Sequence, residues 1–197
     1  MALGDRRMKK SAVACLAALS VIALLVIGAS PAAATVVEKG FYSGTDSFSF
    51  DDCGFTLDVE SEFSGHFVVR ADRGGEAFYL KDNFSYRDVN TNPETGEWFV
   101  VRGNGLFSEI KATLVRDNIY EFTAIEAGQP FVIEDSAGKV VVRDRGVIRT
   151  TALFDTLGDG LPGAEFIEET HLSVHGPHPG FAEDFPFCEI AAELTGA

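Results

Sequence analysis

Four groups of side chains in this sequence have types and spacings that could do chemistry. The first is Asp155-Thr156-Leu157-Gly158-Asp159-Gly160. Alternating carboxylates closed by a turn glycine are how a calcium loop wraps a hard cation in oxygen. Here Leu157 stands where the central acid belongs, and Phe166 stands where a bidentate Glu should close the site. Glu165 and Glu168 lie nearby but out of register. Asp155 and Asp159 are therefore a weak calcium pair, and an acidic, glycine-rich hairpin loop is the preferred reading.

The second group is His171, His175 and His178. On an extended strand, His171, His175 and Glu169 share a face, and two imidazoles with a carboxylate are a zinc ligand set. Residues four apart on a strand are roughly 13 Å apart, too far for one ion unless the strand bends. His178 follows Gly176-Pro177 and reads as a solvated loop histidine. No metal site is expected.

The third group is Arg143, Arg145 and Arg149, alternating on one strand in a chain short of cations. Guanidinium binds carboxylate bidentately, so these could line a site for an acidic ligand. A solvent-facing row pairing with neighbouring acids is the preferred alternative. The fourth group is an ionisable set, His66, Arg149, Glu169 and His171, which an enzyme would need to gather inside the fold. Neither a G-x-S-x-G elbow nor an H-E-x-x-H helix is present, and no spacing names a catalytic residue or a cofactor. Asn83-Phe84-Ser85 is a glycosylation sequon, relevant only in a host that glycosylates exported proteins.

The elements that must position these groups read as strands. Phe63, Gly65, Phe67 and Val69 alternate with polar neighbours across residues 55–71, the period of a half-buried strand. Gly74-Gly75 turns the chain into a second run over 76–89, and 90–96 is a loop by its Asn, Pro and Gly. Runs over 97–102 and 106–116 follow, with Gly103 and Gly105 marking bulges. Asp117-Asn118 leads to 119–127, Pro130 to 131–134, and the turn 135–138 to a long pair over 139–154 and 164–174. Residues 185–194 form a short final strand or a helical turn. Nothing over 35–180 has a helical period. The pattern predicts an all-β antiparallel meander of about eight strands, a lipocalin- or allene-oxide-cyclase-sized closed barrel in preference to a sandwich.

The first 34 residues are of a different kind. Arg6, Arg7, Lys9 and Lys10 precede an uncharged apolar run over 11–34 that closes with Ala32-Ala33-Ala34. A basic start, an apolar middle and an A-x-A end make a secretory signal peptide cut after Ala34. An uncleaved membrane anchor is the alternative, and Pro31 with its small neighbours argues against it. Cys15 precedes most of the apolar run, which is the wrong place for a lipid-modified cysteine. The chain after processing, 35–197, suits a single domain.

That remainder carries 12 basic and 29 acidic residues, a net charge of −17. Such a surface repels nucleic acid and anionic membranes. It also holds all 17 Phe, enough for one core, and two cysteines, Cys53 and Cys188. An even pair in an oxidising compartment is most simply one structural disulfide.

The segments Gly128-Gln-Pro-Phe-Val-Ile-Glu-Asp-Ser-Ala-Gly-Lys139, Arg143-Asp-Arg-Gly146 and Phe154-Asp-Thr-Leu-Gly-Asp-Gly160 resemble secreted actinobacterial proteins of unassigned function. The resemblance spans most of the chain after Ala34, and implies export and an all-β domain but no activity. The expectation is a secreted, monomeric, non-catalytic domain. Its partner would be a small apolar or acidic ligand in a pocket, or a cell-surface component, carried by the pocket or by the loops 90–96 and 155–163. The rival is a small extracellular barrel enzyme, an isomerase or hydrolase.

Overall fold

A computed structural model describes residues 35–72, 74–182 and 184–197, so the expected signal peptide over 1–34 lies outside the described residues. Eight strands carry most of the chain: β1 Val36–Phe50, β2 Leu57–Ala71, β3 Phe78–Thr91, β4 Trp98–Arg116, β5 Ile119–Glu134, β6 Val140–Arg143, β7 Gly146–Asp155 and β8 Glu165–His175. A 3-10 turn, Pro179–Phe181, and one helix, α1 Phe187–Thr195, complete it. The strands form one antiparallel sheet in the order β1-β2-β3-β4-β5-β7-β8, with β6 also paired to β5.

The all-β meander is as expected, with one segment more than the alternation revealed. β1 is a full strand although its Gly, Ser and Thr content hid it among turn residues. β4 runs unbroken through Gly105, and of the two expected glycine bulges only Gly103, opposite Pro130 on β5, coincides with a break in register. The run over 139–154 is cut at Asp144-Arg145 into β6 and β7. Residues 187–195 are helix, not strand. No ladder joins β1 to β8 among the described residues, so the sheet is open at two edges rather than closed by pairing. β8 is blunted as an edge by Glu165, Glu168 and Glu169 and by two register shifts against β7.

Directly paired residues share a face, so the register sorts the side chains into two surfaces. One, the aromatic face, carries Tyr42, Phe63, Phe67, Phe84, Tyr86, Phe99 and Phe107. The other, the polar face, carries Ser43, Thr45, Glu62, Ser64, Ser85 and Arg87. At one end of the aromatic face α1 lies over Leu57, Phe99, Val101, Ile133 and Val142, burying Ala191 against them. The Cys53–Cys188 disulfide ties the β1–β2 turn to this helix. Gly196 ends the helix in the left-handed region (φ 66°), returning its N–H to the Ala192 carbonyl. Thr95 Oγ1 donates to the Thr195 carbonyl at 2.7 Å, so the 90–96 loop is bound to the helix end. A second, smaller cluster, Ala77, Tyr120 and Phe122 with Ala112 and Phe154, closes the opposite end of the face.

Candidate functional site

Between these two clusters the aromatic face has an unusual construction. Five glycines, Gly40, Gly44, Gly65, Gly103 and Gly105, lie directly opposite Phe67, Phe63, Tyr42, Tyr86 and Phe84 on the neighbouring strand. Each ring lies down over its glycine, and a Cβ at Gly65 would overlap the Tyr42 ring. A glycine weakens a strand, and an aromatic ring laid over it restores the lost packing. The rings also reach past the glycines. Tyr42 donates its hydroxyl to Asp82 Oδ2 at 2.7 Å on β3, and Tyr86 donates to the Pro130 carbonyl at 2.8 Å on β5. Burial, then the Asp82 hydrogen bond and charge, push Tyr42 up to about 12. Burial, then the charges of Asp88, Glu126 and Asp144, do the same to Tyr86. Both phenols are fixed as donors.

Three carboxylates project from β3, β4 and β5 onto this face. Asp82 and Glu126 flank Phe107 in one cross-strand row, and Asp82 Oδ1 is buried without a hydrogen-bond partner. Glu109 lies where β4 bulges between Glu109 and Lys111. A bulge re-aims the side chains beside it. Glu109 Oε2 accepts the Leu80 N–H at 2.5 Å. Burial raises the Glu109 carboxyl above its ordinary range, and that hydrogen bond opposes the rise. Burial likewise raises Glu126, against the opposing influence of His178.

Glu109 lines a cavity of about 260 Å³. Its walls are Val69, Phe78 and Leu80 on one side and Phe122 and Phe154 on the other, with residues 162–164 of the β7–β8 loop across it. An apolar cavity with one carboxyl of raised proton affinity can hold a small molecule by its apolar body and orient it by one hydrogen bond. A carboxyl of that kind can also give or take a proton.

A second buried constellation lies where β5 passes from β7 to β6. The Asp144 and His178 side chains are 0% and 1% exposed, with His178 Nδ1 3.9 Å from Asp144 Oδ2. Asp144 Oδ1 accepts the Gly180 N–H at 2.9 Å, while its Oδ2 and both His178 nitrogens lack a partner. Arg145 N–H donates to the Pro177 carbonyl at 2.9 Å, and Phe131 meets Phe185 edge to face. These contacts seat the 177–185 segment on the sheet ahead of α1.

The ionisable set that the enzyme reading would need is not brought to one place. His66 lies on β2 against Phe41, ring centroids 4.6 Å apart, while Arg149 and His171 lie on β7 and β8 with β3, β4 and β5 between. Glu169 leaves His171 altogether. His171 pairs with Thr151 and Glu169 with Ala152, so the extra residue Thr170 puts the two on opposite faces. The expectation that His171, His175 and Glu169 share a face fails on that bulge. His178 is buried, not a solvated loop histidine. Arg143, Arg145 and Arg149 do not form one row, because Arg145 lies in the break between β6 and β7. In the acidic loop, Asp155 and Asp159 accept the Leu157 and Leu161 N–H groups, and the described residues hold no group of three or more ligands for a metal.

Of the residues on this face and beside it, Asp82, Glu109, Glu126 and Asp144 escaped the sequence reading, and His178 was read as a loop histidine. For the first three a signal existed: Asp82 shares parity with Phe84, Glu109 with Phe107, and Glu126 with Phe122. An acid in the inward register of an aromatic strand is the mark of a buried carboxylate. Comparison with family models, with curated proteins and with solved structures gave no match.

Proposed function

We propose that this chain is an exported, monomeric, non-catalytic β-domain that binds one small, mainly apolar molecule in the cavity beside Glu109. The observation that carries the reading is the half-buried Glu109 carboxyl in a mainly apolar cavity walled by Phe78, Phe122 and Phe154. Export is supported by the signal-like residues 1–34, by the disulfide, and by the resemblance to secreted actinobacterial proteins. No described helix is long and apolar enough to cross a membrane. In the barrel form of this reading β1 and β8 approach each other and the aromatic face becomes an interior. The cavity does not depend on that closure.

The test is ligand-observed NMR with toluene and p-cresol, which differ by one hydroxyl. Saturable binding of p-cresol about tenfold tighter than toluene is expected if the hydroxyl donates to Glu109. Phe154→Ala should weaken both probes, and Glu109→Gln should narrow the gap between them. Absence of saturable binding by either probe, or binding indifferent to both variants, overturns the reading.

One observation favours a second reading. The raised Glu109 carboxyl is suited to general acid–base work, as in a small extracellular isomerase or hydrolase. Turnover abolished by Glu109→Gln with probe binding retained would select it over simple binding.

A further inference from the structure

The polar face carries a separate feature that the cavity does not use. One cross-strand row runs Ser43, Ser64, Ser85, Asn104 and Gln129, each residue directly paired with the next across β1 to β5. These are short hydroxyl and amide side chains, the groups that exchange hydrogen bonds with sugar hydroxyls. The next row runs Thr45, Glu62, Arg87, Arg102, Val132 and Arg143, paired in the same way across β1 to β6. A shallow groove of about 480 Å³ lies along the β1–β3 part of both rows, lined by their residues together with Gly44, Phe63 and Tyr86 of the row between them.

Charge makes the second row exceptional. In a chain whose residues 35–197 carry −17, three guanidinium groups collect around a single acid, Glu134. Arg102 Nη2 meets Glu134 Oε1 at 2.6 Å. The Arg102 hydrogen bond, and beyond it the charges of Arg102, Arg143 and Arg87, hold the Glu134 carboxyl below its ordinary range. Arg87 and Arg143 are exposed and form no ion pair among the described residues. Glu62 is directly opposite Arg87 but makes no ion pair with it. Together with Glu60 it puts acids on β2, while among the arginines of β3, β4 and β6 the acid is Glu134 on β5. Val132 is fully buried between Arg102 and Arg143, although it belongs to this face.

We infer that the polar face binds an acidic polysaccharide, a uronate chain lying across the strands with its hydroxyls on the Ser64–Ser85–Asn104 row and its carboxylates on Arg87, Arg102 and Arg143. Three features select this occupant. Guanidinium takes carboxylate bidentately. The neutral row beside it supplies hydrogen bonds that a bare anion would not need. Neighbouring strands are about 4.8 Å apart, close to the length of one sugar ring, so the rows match the chain's repeat.

The experiment is calorimetric titration of the protein with tetragalacturonate and, as the neutral control, maltotetraose. Tetragalacturonate should bind at low salt and weaken as salt rises, with maltotetraose at least tenfold weaker. The Arg87→Gln/Arg143→Gln double variant, both sites exposed, should weaken tetragalacturonate about tenfold without changing the p-cresol titration. Glu134→Gln removes the one acid inside the cluster and should tighten binding severalfold. Equal affinity for the two sugars, an unchanged affinity in the double variant, or no heat with either sugar at millimolar concentration overturns the proposal. Loss of p-cresol binding alone leaves it standing, since the cavity lies on the opposite face.

Discussion

The two ends of the aromatic face are built from the same strands and finished differently. At the β1–β2 turn end, a helix, a disulfide and the C-terminal residues lie over Leu57, Phe99 and Ile133, all 0% exposed. At the other end the smaller cluster of Ala77, Tyr120 and Phe122 lies beside a cavity that residues 162–164 of the β7–β8 loop line without filling. Close packing is where a chain spends its apolar bulk for stability, and an unfilled apolar space with a buried acid is a cost retained. The molecule thus separates the end that holds it together from the end that has room for a ligand.

If that division is right, the largest effect should come from the clamped end. Replacing both Cys53 and Cys188 by Ala opens a loop of 135 residues, worth about 5 kcal/mol in the chain-entropy model. Urea unfolding should show that loss, while p-cresol affinity extrapolated to native conditions stays put. A matching loss of affinity would join the two ends that the structure separates.

Next comes a pair of truncations. Phe99→Ala should cost about 4 kcal/mol, the scale for a fully buried ring. Phe154→Ala, on the cavity wall, should cost only about 2 kcal/mol, since part of its surroundings is already empty. Midpoints in urea at equal slope give both numbers. A larger loss for Phe154 would make the cavity end the structural core and reverse the comparison.

Between the ends, Gly65→Ala puts a methyl group into the Tyr42 ring. Overpacking of this kind costs about 2 kcal/mol, and the displaced ring loses Asp82. The Tyr42 phenol, now at about 12, should then titrate nearer its ordinary range in an ultraviolet pH titration. An unmoved phenol would mean that the ring does not depend on the glycine.

How much of this the sequence disclosed follows from which forces are local. Period-two alternation is a property of neighbouring residues, so β2, β3 and β8 were legible within two residues of their observed starts. The disulfide was legible because, with Cys15 assigned to the expected signal peptide, two cysteines remain and allow one pairing. β1 was not, because its glycines are strand residues only by virtue of rings on β2 that cover them. Glu169 and His171 looked like one cluster because a bulge at Thr170, set by pairing with β7, is invisible along β8 alone. The buried His178 was likewise out of reach. Its burial comes from Gly146 and Asp144, more than thirty residues earlier, and nothing in the local string marks it.

The smallest effect is the most diagnostic of the cavity. Glu109 has a raised carboxyl in the folded chain, so it binds its proton more tightly folded than unfolded. Its contribution is therefore fully present below the unfolded value and is lost as pH rises through the folded one. Glu134 is depressed and behaves oppositely, its contribution lost as pH falls, so the total pH profile mixes the two. Comparison of Glu109→Gln with the parent isolates one of them. Gln still accepts the Leu80 N–H but carries no charge into the cavity. The variant should gain stability relative to the parent as pH climbs from the ordinary carboxylate range, levelling off once the raised Glu109 carboxyl of the parent is fully ionised. A difference independent of pH would show that Glu109 titrates as an exposed acid, and the cavity would lose the carboxyl that makes it a site.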